Sequence, residues 1–320
     1  MSRGLAKLEV AAVLLLAAMC MVSTVFGFDV RGPVAEVVDG AGYSWDANSF
    51  PGFYFDTDEG IGTETLNVTV SGNQLEADTG VVYQSRARRE RFEYEGWGAY
   101  YTMGFLGEKY FAGYADGLLF NKSSDPSLLS NERISRVLLD SDEEQTITSD
   151  SPLRLAGGFL LQIKDIDQAG DKVYLDLYRD GLWEDSAVIE PSATGAGVDN
   201  RTFIHKAALG GGKEIVVIAV HFKNAFRSGE ENVADVDGIW QISEDDVLFL
   251  KAGRRYDKMT IDGVSSGNMT LTMTNKDSAI SLNRNKDIPL MEGFGIKTSN
   301  QNRITAENPL RFYVYRSVTD

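Results

Sequence analysis

A chain of 320 residues has room for about two domains and a core of ordinary size, so neither disulfides nor metals are needed to hold it together. Its 31 Lys and Arg against 47 Asp and Glu give a formal net charge of −16, which excludes an unassisted nucleic-acid binder, because phosphates must be met by cations. Apolar residues make up 43%, enough to place the chain among folded globular proteins rather than disordered or collagen-like ones.

Arg3 and Lys7 precede an apolar run, Val10–Val22, and small residues follow up to Gly27. This is the pattern of a secretory signal peptide over residues 1–27. The run is too short to span a bilayer, which takes ~20 residues, and no such run follows residue 27, so no transmembrane anchor is expected after it. The single cysteine, Cys20, lies inside the run, so the exported portion is expected to carry no disulfide and no cysteine metal site.

Beyond the leader, period-two alternation recurs in short stretches set apart by Gly, Asn and Asp, and predicts strands. In Thr63–Val70, Leu66, Val68 and Val70 share one face, Thr65, Asn67 and Thr69 the other. Lys172–Tyr178 alternates in the same way, and Asp180-Gly181 then supplies a hairpin turn before Leu182–Ile189. Glu214–Phe222 is apolar on both faces and predicts a strand covered on each side. Asn268–Thr274 alternates again, with Met269, Leu271 and Met273 inward. Long helical periodicity is absent. Many short strands between polar turns predict an all-β protein of two linked β-sandwich domains. Residues 28–144 with 255–320 are expected to form the first sandwich and 145–254 a second, inserted one. The 60 or so residues after the second are too few for a sandwich of their own.

Asn-x-Ser/Thr sequons at Asn67, Asn121, Asn200 and Asn268 are the candidate modification sites, each a potential attachment point for an N-glycan partner. Asn67 and Asn268 should point to solvent from their strands. Asp56, Asp58 and Glu59 beside Gly60 resemble part of a calcium-binding turn, as do Asp165, Asp167 and Asp171, but the motif is incomplete and an ordinary acidic turn is the preferred reading of each. His205 and His221 are the only histidines, and no nucleophile elbow, zinc-protease helix or phosphate loop occurs. No catalytic, metal or cofactor residue is therefore assigned. Arg86, Arg88, Arg89 and Arg91 form a basic island. Two readings stand for it: a patch that meets the acidic face of a neighbouring copy, or edge-strand charges that deter aggregation.

Several segments in order resemble the archaeal S-layer proteins of the Methanosarcina type, built from the S-layer family duplication domain. They are Trp45–Asp58 with Glu64-Thr65-Leu66, Phe92–Gly98, Met103–Tyr114, Ile134–Asp140, Val173–Gly181, Ile218–Phe226, Val236–Ser243 and Leu310–Tyr315. The resemblance implies linked β-sandwiches that self-associate, or join other S-layer subunits, in a glycosylated, acidic lattice outside the cell. Such a lattice is a protective coat and molecular sieve, and the family has no catalytic residues to carry over. Its major lattice proteins hold two tandem copies of the module, an acidic spacer and a membrane anchor; the resemblance here covers one copy. The rival reading is a secreted adhesin or carbohydrate-binding sandwich, which would present Trp97, Trp183 or Trp240 as a stacking surface.

Overall fold

A computed structural model describes residues 27–115, 120, 127–167, 172–192, 195, 197–229 and 231–319. Residues 1–26, within the expected signal peptide and including Cys20, lie outside the described residues, as do Asn121 and Asp171. The regular structure of the described chain is almost entirely antiparallel sheet.

The predicted alternation is realised where one sheet face is wet. In Glu64–Thr69, Leu66 and Val68 are buried while Thr65 and Asn67 look outward. Val173–Arg179 and Leu182–Ile189 form the predicted hairpin, Arg179 opposite Leu182. Asp180 and Gly181 between them both take positive φ, 50° and 81°, as a two-residue turn matched to strand twist requires. Glu214–Ser228 runs longer than expected, and its residues 215–222 are buried on both faces. Asn268 differs from expectation. The strand begins only at Thr270, because Ser266, Gly267 and Asn268 favour a turn, which Met269 closes with φ 51°. Met269 still packs against the core.

Two pairs of sheets enclose two cores. In the first, a six-stranded sheet runs in the order Arg255–Tyr256, Met259–Ser265, Thr270–Thr274, Val81–Arg86, Glu64–Thr69, Gly42–Asp46. It shares its core with the sheet of Gly27–Arg31, Arg311–Thr319, Phe294–Thr298 and Asp287–Met291. In the second, the four strands Leu153–Arg154, Phe159–Ile166, Val173–Arg179 and Leu182–Ile189 pack on a larger sheet. That sheet is ordered Thr202–Ala208, Glu214–Ser228, Glu231–Phe249, Arg133–Ser141, Glu108–Tyr114, Ala99–Phe105, Arg88–Arg91, with Gln145–Thr148 beside Glu231–Phe249.

The larger sheet serves both cores. Met103, Phe105, Tyr110, Ala112 and Ile134 belong to the first, while Tyr100, Phe111, Tyr114, Trp240 and Ile242 belong to the second. Continuous strands therefore join the cores in place of a flexible linker. Glu231–Phe249 is 19 residues long, roughly 60 Å at ~3.3 Å per residue. Register shifts at Val137 and near Phe222 mark bulges where these long strands can bend between the cores.

Candidate functional site

The outer face of the six-stranded sheet carries hydroxyl, amide and guanidinium groups. Cross-strand pairing sets Thr65 beside Gln84, Gln84 beside Thr272, and Arg86 beside Thr270. With Arg88 and Asn268 these residues line a groove of about 760 Å³. Arg86 ends one strand and Arg88 begins the next, and buried Ala87 between them sends both guanidiniums to the same, exposed side. Neither makes a hydrogen bond, ion pair or ring contact among the described residues, whereas Arg91 pairs with Glu59 at 3.1 Å.

The sequons differ in how their hydroxyl residue is used. Asn67 and Asn268 both lie on this wall of the first sandwich, Asn67 half-buried in mid-sheet and Asn268 fully exposed in its turn. Asn200 is exposed in the short helix Val198–Arg201, but its partner Thr202 is buried and donates to the Val198 carbonyl at 2.7 Å. Of the tryptophans, Trp97 and Trp240 are 1% and 0% exposed, deep in an aromatic cluster with Phe92 and Tyr100. Trp183 is 60% exposed, its indole N–H donating to Ser186 Oγ at 2.9 Å.

The acidic turns are occupied by their own backbone. Asp56 Oδ1 accepts from the N–H groups of Asp58 and Glu59, and Asp167 Oδ1 from that of Lys172. Burial works against the Asp56 charge, yet the Glu59 N–H and Lys109 hold its pKa below the ordinary value. No three His, Cys, Asp or Glu side chains converge as metal ligands among the described residues.

Both histidines tie strands together. His221 Nδ1 meets Asp237 Oδ1 at 2.5 Å and its Nε2 meets the Tyr94 hydroxyl at 2.9 Å, so both ring nitrogens are engaged. Burial lowers its pKa, outweighing Asp237. His205 bridges the two sheets of the second sandwich, with Nδ1 2.8 Å from Asp185 and Nε2 3.6 Å from Glu244. Burial lowers its pKa, but Glu244 and Asp185 outweigh that and the net shift is upward. A raised folded pKa means the stabilisation is complete below the unfolded value, near 6.5, and is lost as pH rises through the folded value. Urea unfolding from about pH 5.5 to about pH 8.5 is expected to show the parent losing stability relative to His205→Gln, which cannot titrate. Parallel curves for the two proteins would refute this.

Where the larger sheet enters the first core, buried carboxylates hold it. The hairpin turn Leu106-Gly107 exposes N–H groups that the strands cannot pair. Gly107 N–H donates to Glu64 Oε1 at 2.9 Å and Leu106 N–H to the Tyr83 hydroxyl at 3.2 Å. Tyr83 in turn donates to Glu64 Oε1 at 2.7 Å, and the Tyr54 N–H to Oε2 at 2.8 Å. Arg316 binds the Gly107 carbonyl and Glu108. Burial pushes the Glu64 pKa up despite these donors. Further along the same sheet, Tyr100 donates to Glu90 at 2.5 Å and lies 3.0 Å from Asp140, whose other oxygen accepts from the Glu93 N–H at 3.1 Å. Lys109 pairs with Glu90.

The arrangement is thus a stiff two-core body with a polar, cationic groove on one wall. Residues 35–300 match the sequence profile of a family described as S-layer protein. This chain belongs to the S-layer protein family. Its location is accordingly the outer surface of the cell. Major S-layer proteins of three Methanosarcina species are similar to it: 30% identical over 306 residues in M. barkeri, 28% over 334 in M. acetivorans and 27% over 310 in M. mazei. These alignments cover 91%, 98% and 91% of the chain but 42%, 46% and 43% of the relatives. The chain therefore spans less than half the length of the S-layer proteins it matches. Among its described residues, no helix is long and apolar enough to cross a membrane.

Proposed function

We propose that this protein is a structural, non-catalytic subunit of a porous surface coat. The observation that carries the reading is the family match from residue 35 to 300, which runs through both cores and the strands that join them. A body whose halves are joined by continuous strands resists bending at the joint, as a repeating wall element must. Carboxylates of a chain with net charge −16 would line the gaps between copies. Their field favours cations over anions within about a Debye length, ~8 Å at physiological ionic strength, while the width of the gaps admits small solutes and holds back large proteins. Purified protein imaged by electron microscopy, with and without divalent cations, is expected to form ordered sheets; monomers under every condition would sink the reading.

The domain division belongs to the same proposal: one sandwich of residues 28–144 with 255–320, interrupted by a second of 145–254. It is supported by residues before 90 and after 250 contributing only to the first core and buried residues 147–242 only to the second, with residues 92–134 shared between the two. Limited proteolysis is expected to cut first near these boundaries. Glycans on the sequons complete the reading. Asn67 and Asn268 are expected to be modified in the assembled coat, and Asn200 only if the sugar is added before Thr202 is buried by folding. Glycopeptide mass spectrometry of protein from its host checks this.

One observation favours a second reading. Trp183 is 60% exposed on the outer sheet of the second sandwich, which also carries the exposed cross-strand pair Tyr174 and Val188 further along the same hairpin, and an open indole is suited to stacking against a sugar ring. If the protein is a carbohydrate-binding adhesin, oligosaccharide titration quenches or shifts Trp183 fluorescence, and Trp183→Ala abolishes the response.

A further inference from the structure

We infer that the Arg86–Arg88 groove receives the acidic run Asp142-Glu143-Glu144 of a second copy of this chain. The inference rests on the coat reading above and names the contact by which copies join. Its first ground is the pair of guanidiniums. In a chain with 47 acidic residues against 31 basic ones, Arg86 and Arg88 point side by side into a groove without a carboxylate partner among the described residues. Arginine presents a planar fork that takes a carboxylate through two parallel hydrogen bonds, so this groove is built for anions. The rest of its lining is mainly polar: Gln84, Thr270 and Thr272 offer hydrogen bonds, and the Asp46 carboxylate there is taken up by the Asn48 and Ser49 N–H groups. The occupant is therefore polar and negatively charged.

The second ground is the run itself. Residues 142–144 lie between Arg133–Ser141 and Gln145–Thr148, all three side chains are exposed, and none is in a strand. Glu144 is held by Lys223, and the Glu143 N–H by Ser141 Oγ at 3.2 Å, which fixes the run in its own place on the larger sheet. Asp142 and Glu143 have no ion-pair partner among the described residues. A groove with two unpaired cations and a projecting run with two unpaired anions are complementary. When a copy offers its groove to one neighbour and its run to another, the contact is head-to-tail, and repeating it builds a ring or an open array. Opposite charges at such a seam also set register and oppose wrong pairings.

The test uses full-length chain, with unchanged far-UV circular dichroism as the folding control. Two variants reverse the charges separately, Arg86→Glu with Arg88→Glu, and Asp142→Lys with Glu143→Lys. Each alone is expected to sediment as a monomer where the parent associates. An equimolar mixture is expected to recover association, because the Glu groove of one variant accepts the Lys run of the other. Parent assemblies should also dissolve as salt approaches ~1 M, where the Debye length falls to ~3 Å. If the single variants associate like the parent, or the mixture stays monomeric, the contact is overturned while the coat reading survives. Failure of the parent itself to associate overturns the coat reading and the contact with it. Loss of association in Asn268→Gln, equal to that of the arginine variant, would instead assign the groove to a glycan and overturn the proposal.

Discussion

Glu64→Ala is expected to destabilise the protein by about 3–5 kcal/mol, read as a shift of the first urea transition followed by tryptophan fluorescence. The carboxylate is 1% exposed and accepts from the N–H groups of Tyr54 and Gly107 and from the Tyr83 hydroxyl. Alanine leaves all three donors without this acceptor in a site that water does not reach, and the unmet donors, more than the lost charge, make the change costly. Two further variants separate this account from simple cavity formation. Tyr83→Phe removes a donor together with its bond and should cost only about 1 kcal/mol beyond the unpaired Leu106 N–H. Combined with Glu64→Ala it should be less than additive, since the hydroxyl is already orphaned. Gly104→Ala acts on the same site from the other side. A Cβ there would stand 2.6 Å from Glu64 Oε2 and 2.8 Å from Thr63 Oγ1, so the carboxylate must move off its donors. A loss below about 1 kcal/mol for Glu64→Ala would show that the hairpin tip does not depend on it.

The sequence held a signal for Glu64 that alternation alone passes over. Positions 64, 66 and 68 share a face, so a carboxylate in phase with Leu66 and Val68 must be buried and must find donors; nothing local says that they come from residues 54, 83 and 107. The strands and the Asp180-Gly181 turn were legible because each depends on neighbours within a few residues. Asn268 was misplaced by two positions because apolar alternation continues through Met269 into the turn, and turn chemistry won over the pattern. Trp97, Trp183 and Trp240 could not be ranked from sequence, since burial depends on which sheet covers them, and the structure leaves only Trp183 open. The arginine island was visible as a run of charge. Its groove was not, because the opposing wall of Thr270 and Thr272 lies more than 180 residues away and arrives only by strand pairing. Family membership was legible across the whole length because the resembling segments are long, aromatic and in order.

Asp140→Asn is expected to stabilise the protein at alkaline pH and leave it almost unchanged at acidic pH. Tyr100 has one hydroxyl hydrogen and two carboxylates in reach, Glu90 at 2.5 Å and Asp140 at 3.0 Å. The shorter bond takes the hydrogen to Glu90, which also holds Lys109, so the Asp140 contact is satisfied when Asp140 carries its own proton and donates it to the phenol oxygen. Burial points the same way, pushing the Asp140 carboxyl up to about 7 against the Glu93 N–H, Tyr100 and Lys109. An unfolded aspartate gives up its proton near 3.8, so between that value and about 7 the folded chain binds more protons and stability falls as pH rises. Three units correspond to about 4 kcal/mol at most, fully expressed above the folded pKa. Asparagine keeps the shape of the protonated acid, accepts from the Glu93 N–H through its oxygen, donates to Tyr100 through its amide and does not titrate. Urea midpoints at about pH 4.5 and about pH 8.5 should therefore converge at the first and separate by a few kcal/mol in favour of the variant at the second. A variant weaker than the parent at the higher pH would mean that the fold holds Asp140 as an anion, with Lys109 as its counter-charge.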